Sequence, residues 1–382
     1  MAGPLNGIKV LEFESIGPAP FAGMLLADMG ADVLVVDRPE STDLGLKRER
    51  WYDVMMRGKR SVALDLKKEN AKEAALELIA RADALIEGMR PGVMEKLGLG
   101  PQPALERNPK LVYGRMTGWG QSGPLAPRAG HDINYIALAG VLHAFGRKGE
   151  APVPPLNLIG DFGGGGMLLG FGVACGLIEA SRSGKGQVID AAMVEGAALL
   201  AAMFSGFIGA GTWSEERGSN ILDTGAPWYN VYETRDGKFV SIGSIEERFY
   251  KDLLLRLNAN EFLTLQHDRA SWPKMKARFT EIFKSKTRED WVKAFDSSDA
   301  CFAPVLSWSE APRHPHNRAR SAYISVKRVE QPAPAPRFSR TPPEVKRPPP
   351  ERGEGGNRAL LDWGFTVQDI AKLKSHGLGT KD

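Results

Sequence analysis

Cysteine is almost missing from this chain of 382 residues: there are two, Cys175 and Cys301, both set in apolar sequence. They exclude a disulfide framework and a thiolate metal site, and a reducing compartment is the expectation. Charge of one sign is equally scarce. With 50 basic residues against 46 acidic ones the formal net charge is +4, and so small and scattered an excess argues against a nucleic-acid partner. The amino terminus shows no basic start followed by a long apolar run, so a cytoplasmic protein is expected. The glycine fingerprint of dinucleotide-binding folds is absent too. The turn after the first predicted strand reads Ser15-Ile16-Gly17-Pro18-Ala19-Pro20, which argues against a nicotinamide or flavin cofactor. His314 and His316 have no acidic or thiol partner at ligand spacing, so no metal is expected.

Two apolar runs, 163–180 and 191–213, reach the length of a membrane-spanning helix. Both are rich in glycine and alanine, and the connector between them reads as a turn and a short strand. Helices apolar all round also occur inside large soluble proteins, so burial in a core or between subunits is expected, with no membrane partner.

What is present is alternation. Strand-like 8–13, helical 21–29 and strand-like 31–37 make a βαβ unit, which implies a parallel sheet. Strands over 61–66, 84–87 and 111–116 and a helix over 69–81 continue it. Beyond about residue 214 the pattern changes to a hairpin, 228–232 with 238–242 around Arg235-Asp236-Gly237, and helices over 249–257, 272–284 and 288–295. That is a smaller α+β domain. Prolines dominate 331–350 and predict an extended strap; a helix over 366–374 closes the chain.

The residues richest in chemistry are Gly130-His131-Asp132-Ile133-Asn134-Tyr135 and, thirty residues on, Asp161-Phe162 followed by Gly163 to Gly166. An imidazole and a carboxyl group are the pair needed to take a weakly acidic carbon-bound proton from one face of a planar intermediate and return it to the other. The glycine run before an apolar helix offers open backbone N–H groups for an oxyanion. His131 also fits a structural histidine, and Asp161 a helix cap.

The order Val36-Asp37-Arg38-Pro39, Leu64-Asp65-Leu66-Lys67, Arg90-Pro91-Gly92-Val93, Arg115 through Pro124, Gly130 through Tyr135 and Gly184 through Asp190 resembles the class III (formyl-CoA type) CoA-transferase family, and within it the α-methylacyl-CoA racemases. The resemblance implies an interlocked homodimer. Its parts would be a large Rossmann-like domain over 1–191, a linker helix over 192–226, a small α+β domain over 227–317, and a proline-rich return segment, 318–382, that rejoins the large domain. It implies racemisation of 2-methyl-branched acyl-CoA thioesters, with His131 and Asp161 as acid/base pair and Asp132 and Glu246 as supporting carboxylates. CoA enters as part of the substrate, and no further cofactor is implied.

The family's transferases instead use the aspartate matching Asp161 as a nucleophile, carry an aromatic residue at the place of His131, and have a glycine-rich loop where this chain reads Ser244 through Tyr250. A transferase is the alternative reading, and a CoA-binding protein without catalysis a third. The resemblance assigns CoA contacts to Arg38, Leu64, Asp65, Leu66, Lys67, Gly130, Asn134 and Tyr135. Arg90 fits either a CoA contact or a structural ion pair. Arg57, Lys59 and Arg60 read as a basic loop near the entrance, and Met167, Met193 and Met203 as acyl groove or core alike. Glu247 and Trp228 depart from the racemases' usual residues, which leaves the acyl preference open.

Overall fold

Unbroken runs such as Val33-Leu34-Val35-Val36 suit strands covered on both faces, and they form the centre of the larger of two units. The computed structural model describes residues 3–41 and 49–381. One unit comprises Met1–Ala139, Pro155–Ala201 and Ser321–Asp382, the other Gly140–Pro154 and Ala202–Arg320.

In the larger unit, six strands form one sheet: β1 (Lys9–Phe13), β2 (Asp32–Asp37), β3 (Arg60–Ala63), β4 (Ala84–Glu87), β5 (Val112–Thr117) and β6 (Gln187–Ala192). All pairs are parallel and the order is β3-β2-β1-β4-β5-β6. The predicted strand over 61–66 ends early because Asp65 opens a turn, its side chain accepting the Lys67 N–H and its carbonyl the Lys68 N–H. Helix α1 (Pro18–Asp28) starts earlier than expected: proline suits a first helical turn, where its missing N–H costs nothing. Helices α2 (Ala71–Ile79), α3 (Val93–Lys96) and α4 (Pro101–Arg107) follow, and α5 (Asp132–Leu138) comes after β5.

The two apolar runs fold differently from one another. The first is one continuous 26-residue helix, Leu158–Ser183, long and apolar enough to cross a membrane by composition, with 39% of its most apolar window buried. It begins as a π-helical segment, Leu158–Met167, and continues as α6 (Leu168–Ser183). The second run breaks into the end of β6, α7 (Met193–Leu200) and a further helix, Ala202–Gly209.

One core lies between the sheet, α2 and the C-terminal helices Gly356–Asp362 and Val367–Ser375, which supply Leu360, Ile370 and Leu373, with Trp363 capping the first of them. The other lies under α1 and α6. The proline strap is extended as predicted and bonded along its length: Gly3 donates to Pro342, Glu344 to Asp28 and Gly58 to Arg347.

One expectation is corrected. Arg57, Lys59 and Arg60 are not a solvated loop but are buried and paired. Arg57 grips Asp28 at 2.6 Å, Lys59 donates to both oxygens of Glu12 at 2.6 and 2.8 Å, and Arg60 bridges Asp32 and Asp362. Burial pushes the Glu12 carboxyl up to about 7 against the pull of Lys59. Cys175 and Cys301 are both exposed. Trp228 is wholly buried in the smaller unit, with its indole N–H donated to the Gln266 carbonyl. It packs in a core of Tyr250, Trp272, Phe279, Phe283 and Trp291 beneath the antiparallel strands Tyr229–Glu233, Phe239–Gly243 and Phe302–Pro304.

Candidate active site

Because every strand of the large sheet is parallel, all carboxyl ends lie on one edge, where α/β folds present their ligand contacts. Arg38 follows β2 there, Asp65 to Lys67 follow β3, and Arg90 follows β4. The acid/base candidates belong to the same unit. His131 is the exposed residue just before α5, in extended backbone, with its N–H donated to the Asn134 side chain at 3.1 Å. Asp132, the first residue of α5, is 5% exposed. Its Oδ2 accepts the backbone N–H of Asp161 at 2.8 Å, so one carboxylate ties the start of α5 to the π-helical turn that carries Asp161. Oδ1 of the same carboxylate is buried and has no partner among the described residues.

Asp161 lies inside the first turn of the π segment and is not its cap. Asn157, four residues earlier, donates to Asp161 Oδ2 at 3.0 Å. Gly17, at the start of α1 with φ +66°, faces the same oxygen; a Cβ there would stand 3.3 Å from it. Burial raises the Asp161 carboxyl above its ordinary range, and the charge of Asp132 adds to this. The Asn157 hydrogen bond and the charge of His131 oppose it without reversing it.

Tyr135 packs between two glycines that its ring requires: a Cβ on Gly118 or Gly130 would fall 2.1 or 2.7 Å from the ring. Its hydroxyl donates to the Gly130 carbonyl, and Trp119 meets it edge-on at 4.7 Å. Burial, then the charge of Asp161, pushes its hydroxyl up to about 12, with Arg90 opposing. Leu64 is a core side chain with 1% exposure, so it offers a ligand only backbone.

The glycine run is not an open cradle. Gly164 meets Gly196 of α7 so closely that a Cβ would come within 2.5 Å of the Ala197 nitrogen, and one on Gly166 within 2.6 Å of the Pro18 carbonyl. These glycines serve a helix crossing. The amides of Asp132 and Ile133, first in α5, have no helix carbonyl to reach.

Glu246 belongs to the smaller unit, exposed at the N-cap of helix Glu247–Leu257, while Glu247 pairs with Lys251. Met193 is core, and Met167 and Met203 are exposed.

Sequence reasoning missed Asn157, although its spacing from Asp161 is helical. It also missed Arg352. That residue holds Glu14 at 2.6 and 2.9 Å and donates to the Arg38 carbonyl at 2.7 Å, while Glu14 accepts the Arg38 N–H at 2.7 Å.

Residues 5–355 match the model for CoA-transferase family III. The chain is 46% identical to an alpha-methylacyl-CoA racemase of Mus musculus, covering 99% of this chain and 98% of the relative. It is 44% identical to an alpha-methylacyl-CoA racemase of Homo sapiens, covering 97% and 96%. The crystal structure of a CAIB/BAIF family protein from Brucella suis superposes with a TM-score of 0.82 at 25% identity, over 95% of this chain and 100% of that one.

Proposed function

The chain belongs to CoA-transferase family III, and from that premise we propose that it interconverts (2R)- and (2S)-2-methylacyl-CoA thioesters through an enolate. The observation that carries the reading is that Asp132, the chain neighbour of His131, holds the backbone N–H of Asp161, whose carboxyl feels the charge of His131. The working form holds one proton on this pair. Neutral His131 takes the α-proton while protonated Asp161 gives one to the opposite face; the roles exchange for the other epimer. A raised Asp161 suits this, since an ordinary carboxyl would be ionised whenever the imidazole is neutral.

A thioester α-proton is too weakly acidic for these groups alone, so the enolate oxygen needs fixed donors. In this reading the first amides of α5 supply them, beside His131. CoA lies along the sheet edge with Arg38 and Arg90 toward its phosphates and Asp65, Leu66, Lys67, Gly130, Asn134 and Tyr135 around it. Proton removal and return change no oxidation state, so CoA itself is the only carrier the chemistry calls for. Glu246 is assigned as a supporting carboxylate.

The natural partner is a second copy of the chain, interlocked through the linker and strap. Met167, Phe171 and Ile178, at helical spacing, and Leu199 and Leu200 on α7 are large apolar side chains left at the surface of the larger unit. A cytoplasmic location completes the proposal.

The test is conversion of (2S)- to (2R)-2-methylacyl-CoA followed by chiral separation. Conversion that falls by orders of magnitude in both His131→Ala and Asp161→Ala supports the reading. Conversion that survives in both variants rejects it.

A further inference from the structure

We propose that the smaller unit carries a second binding site, a groove that takes a diphosphate-bearing small molecule. The groove has a volume of about 610 Å³, and its lining includes Lys148, Arg269, Trp272, Lys276 and Thr280. All of them lie in the smaller unit, whereas the thioester contacts assigned above on the sheet edge lie in the larger one.

Lys276 is the centre of the argument. Its ammonium is partly buried on helix Trp272–Phe283 and donates to the Thr224 carbonyl at 2.7 Å. Among the described residues no carboxylate comes within pairing distance of it, and two of its three donors remain. Burial lowers its proton affinity, the charges of Arg147 and Lys148 add to this, and that of Asp223 opposes it.

Asp223 is already committed elsewhere. It accepts the N–H groups of Gly218, Asn220 and Gly225 and the side-chain amide of Asn220, at 2.7 to 3.2 Å. These bonds fix the loop that forms one wall, with Thr224 at φ +74° and Gly218 at φ +72° set directly against Lys148. The wall is therefore preorganised.

The other cations are lightly held. Lys148 meets Glu216 at 3.1 Å with both side chains exposed, a pair of small worth. Arg269, an exposed residue, lies 5.3 Å over the Trp272 ring. Three cations, Lys148 from one stretch of chain and Arg269 and Lys276 from another, around a space much larger than one oxyanion, match a group with several negative oxygens. A bound diphosphate supplies Lys276 with the counter-charge it lacks.

The experiment is calorimetric titration of the full-length protein with inorganic pyrophosphate, and separately with ADP. It compares the unaltered chain with Lys276→Gln, the double variant Lys148→Gln/Arg269→Gln, and Arg38→Gln. The expected result is a dissociation constant of about 1 mM in the unaltered chain and in Arg38→Gln, weakened at least about tenfold in the other two, which keep α-proton exchange. If Lys276→Gln does not fold, the double variant, altered only at exposed residues, decides. ADP sharing this dependence assigns the site to nucleotides, and pyrophosphate alone assigns it to the free anion; either supports the site. Absence of binding, binding unchanged in both groove variants, or binding lost only in Arg38→Gln overturns the proposal.

Discussion

Asn157→Leu removes one donor from the Asp161 carboxylate and little else: the side chain is at the surface, and its bond to Asp161 Oδ2 is 3.0 Å long. A hydrogen bond to an ionised group is worth about 1.5–3 kcal/mol. Asp161 is partly open to water, so the lower end applies, about one pKa unit at 1.36 kcal/mol per unit. The sign follows from which form the bond favours. Asn157 stabilises the carboxylate, so its loss lets Asp161 hold its proton to higher pH, adding to the upward shift from burial. If the working enzyme has one proton on the His131–Asp161 pair, kcat/KM is bell-shaped, and the centre of the bell is the mean of the pair's two apparent pKa values. Raising one member by a unit moves the centre up by about half a unit. Both epimers must show the same movement, because the reaction's equilibrium constant fixes the ratio of kcat/KM in the two directions. The assay is kcat/KM for each epimer across pH, followed by chiral separation of products. A centre that stays in place, or moves to lower pH, while the enzyme remains folded refutes the coupling of Asn157 to an acid/base Asp161.

Gly164→Ala forces a Cβ to within 2.5 Å of the Ala197 backbone, and overpacking of this kind costs about 1–3 kcal/mol or more; a fall in denaturation midpoint checks it. Lys59→Met leaves the Glu12 carboxyl buried without its cation, which costs about 3–5 kcal/mol if it stays charged; adding Glu12→Gln recovers part of that loss in denaturant titration. Gly17→Ala strains a φ of +66° and presses on Asp161 Oδ2, so kcat falls while the melting temperature changes by only a few degrees. Arg352→Gln frees Glu14 and the Arg38 carbonyl; KM for the thioester rises several-fold with kcat held.

The parts of the fold written locally were legible. Val33 to Val36 and Leu85-Ile86 read as buried strands because they are, and Asp236-Gly237 marks the hairpin turn between its two antiparallel strands. What was not legible depends on partners far along the chain. Arg57, Lys59 and Arg60 look like a solvated basic loop until Asp28, Glu12 and Asp32 from α1, β1 and β2 are folded against them. The glycine run looked like a ligand cradle because nothing in its own sequence points to Gly196, the residue it crosses. The burial of Trp228 was not legible either, since its indole N–H is donated to the carbonyl of Gln266, well along the chain. At the site, the His131–Asp132 pair and Asp161 were found by residue type and motif. The bond that joins Asp132 to the Asp161 amide runs between two helix starts and has no sequence signature.

The most direct measurement of the central claim is deuterium incorporation at the α-carbon from heavy water, by mass spectrometry, starting from (2S)- and (2R)-2-methylacyl-CoA separately. The unaltered chain is predicted to label both epimers, and His131→Ala and Asp161→Ala to lose that labelling or nearly so. No labelling from either epimer, together with passage of CoA to an added free acid, would contradict the account and make Asp161 a nucleophile.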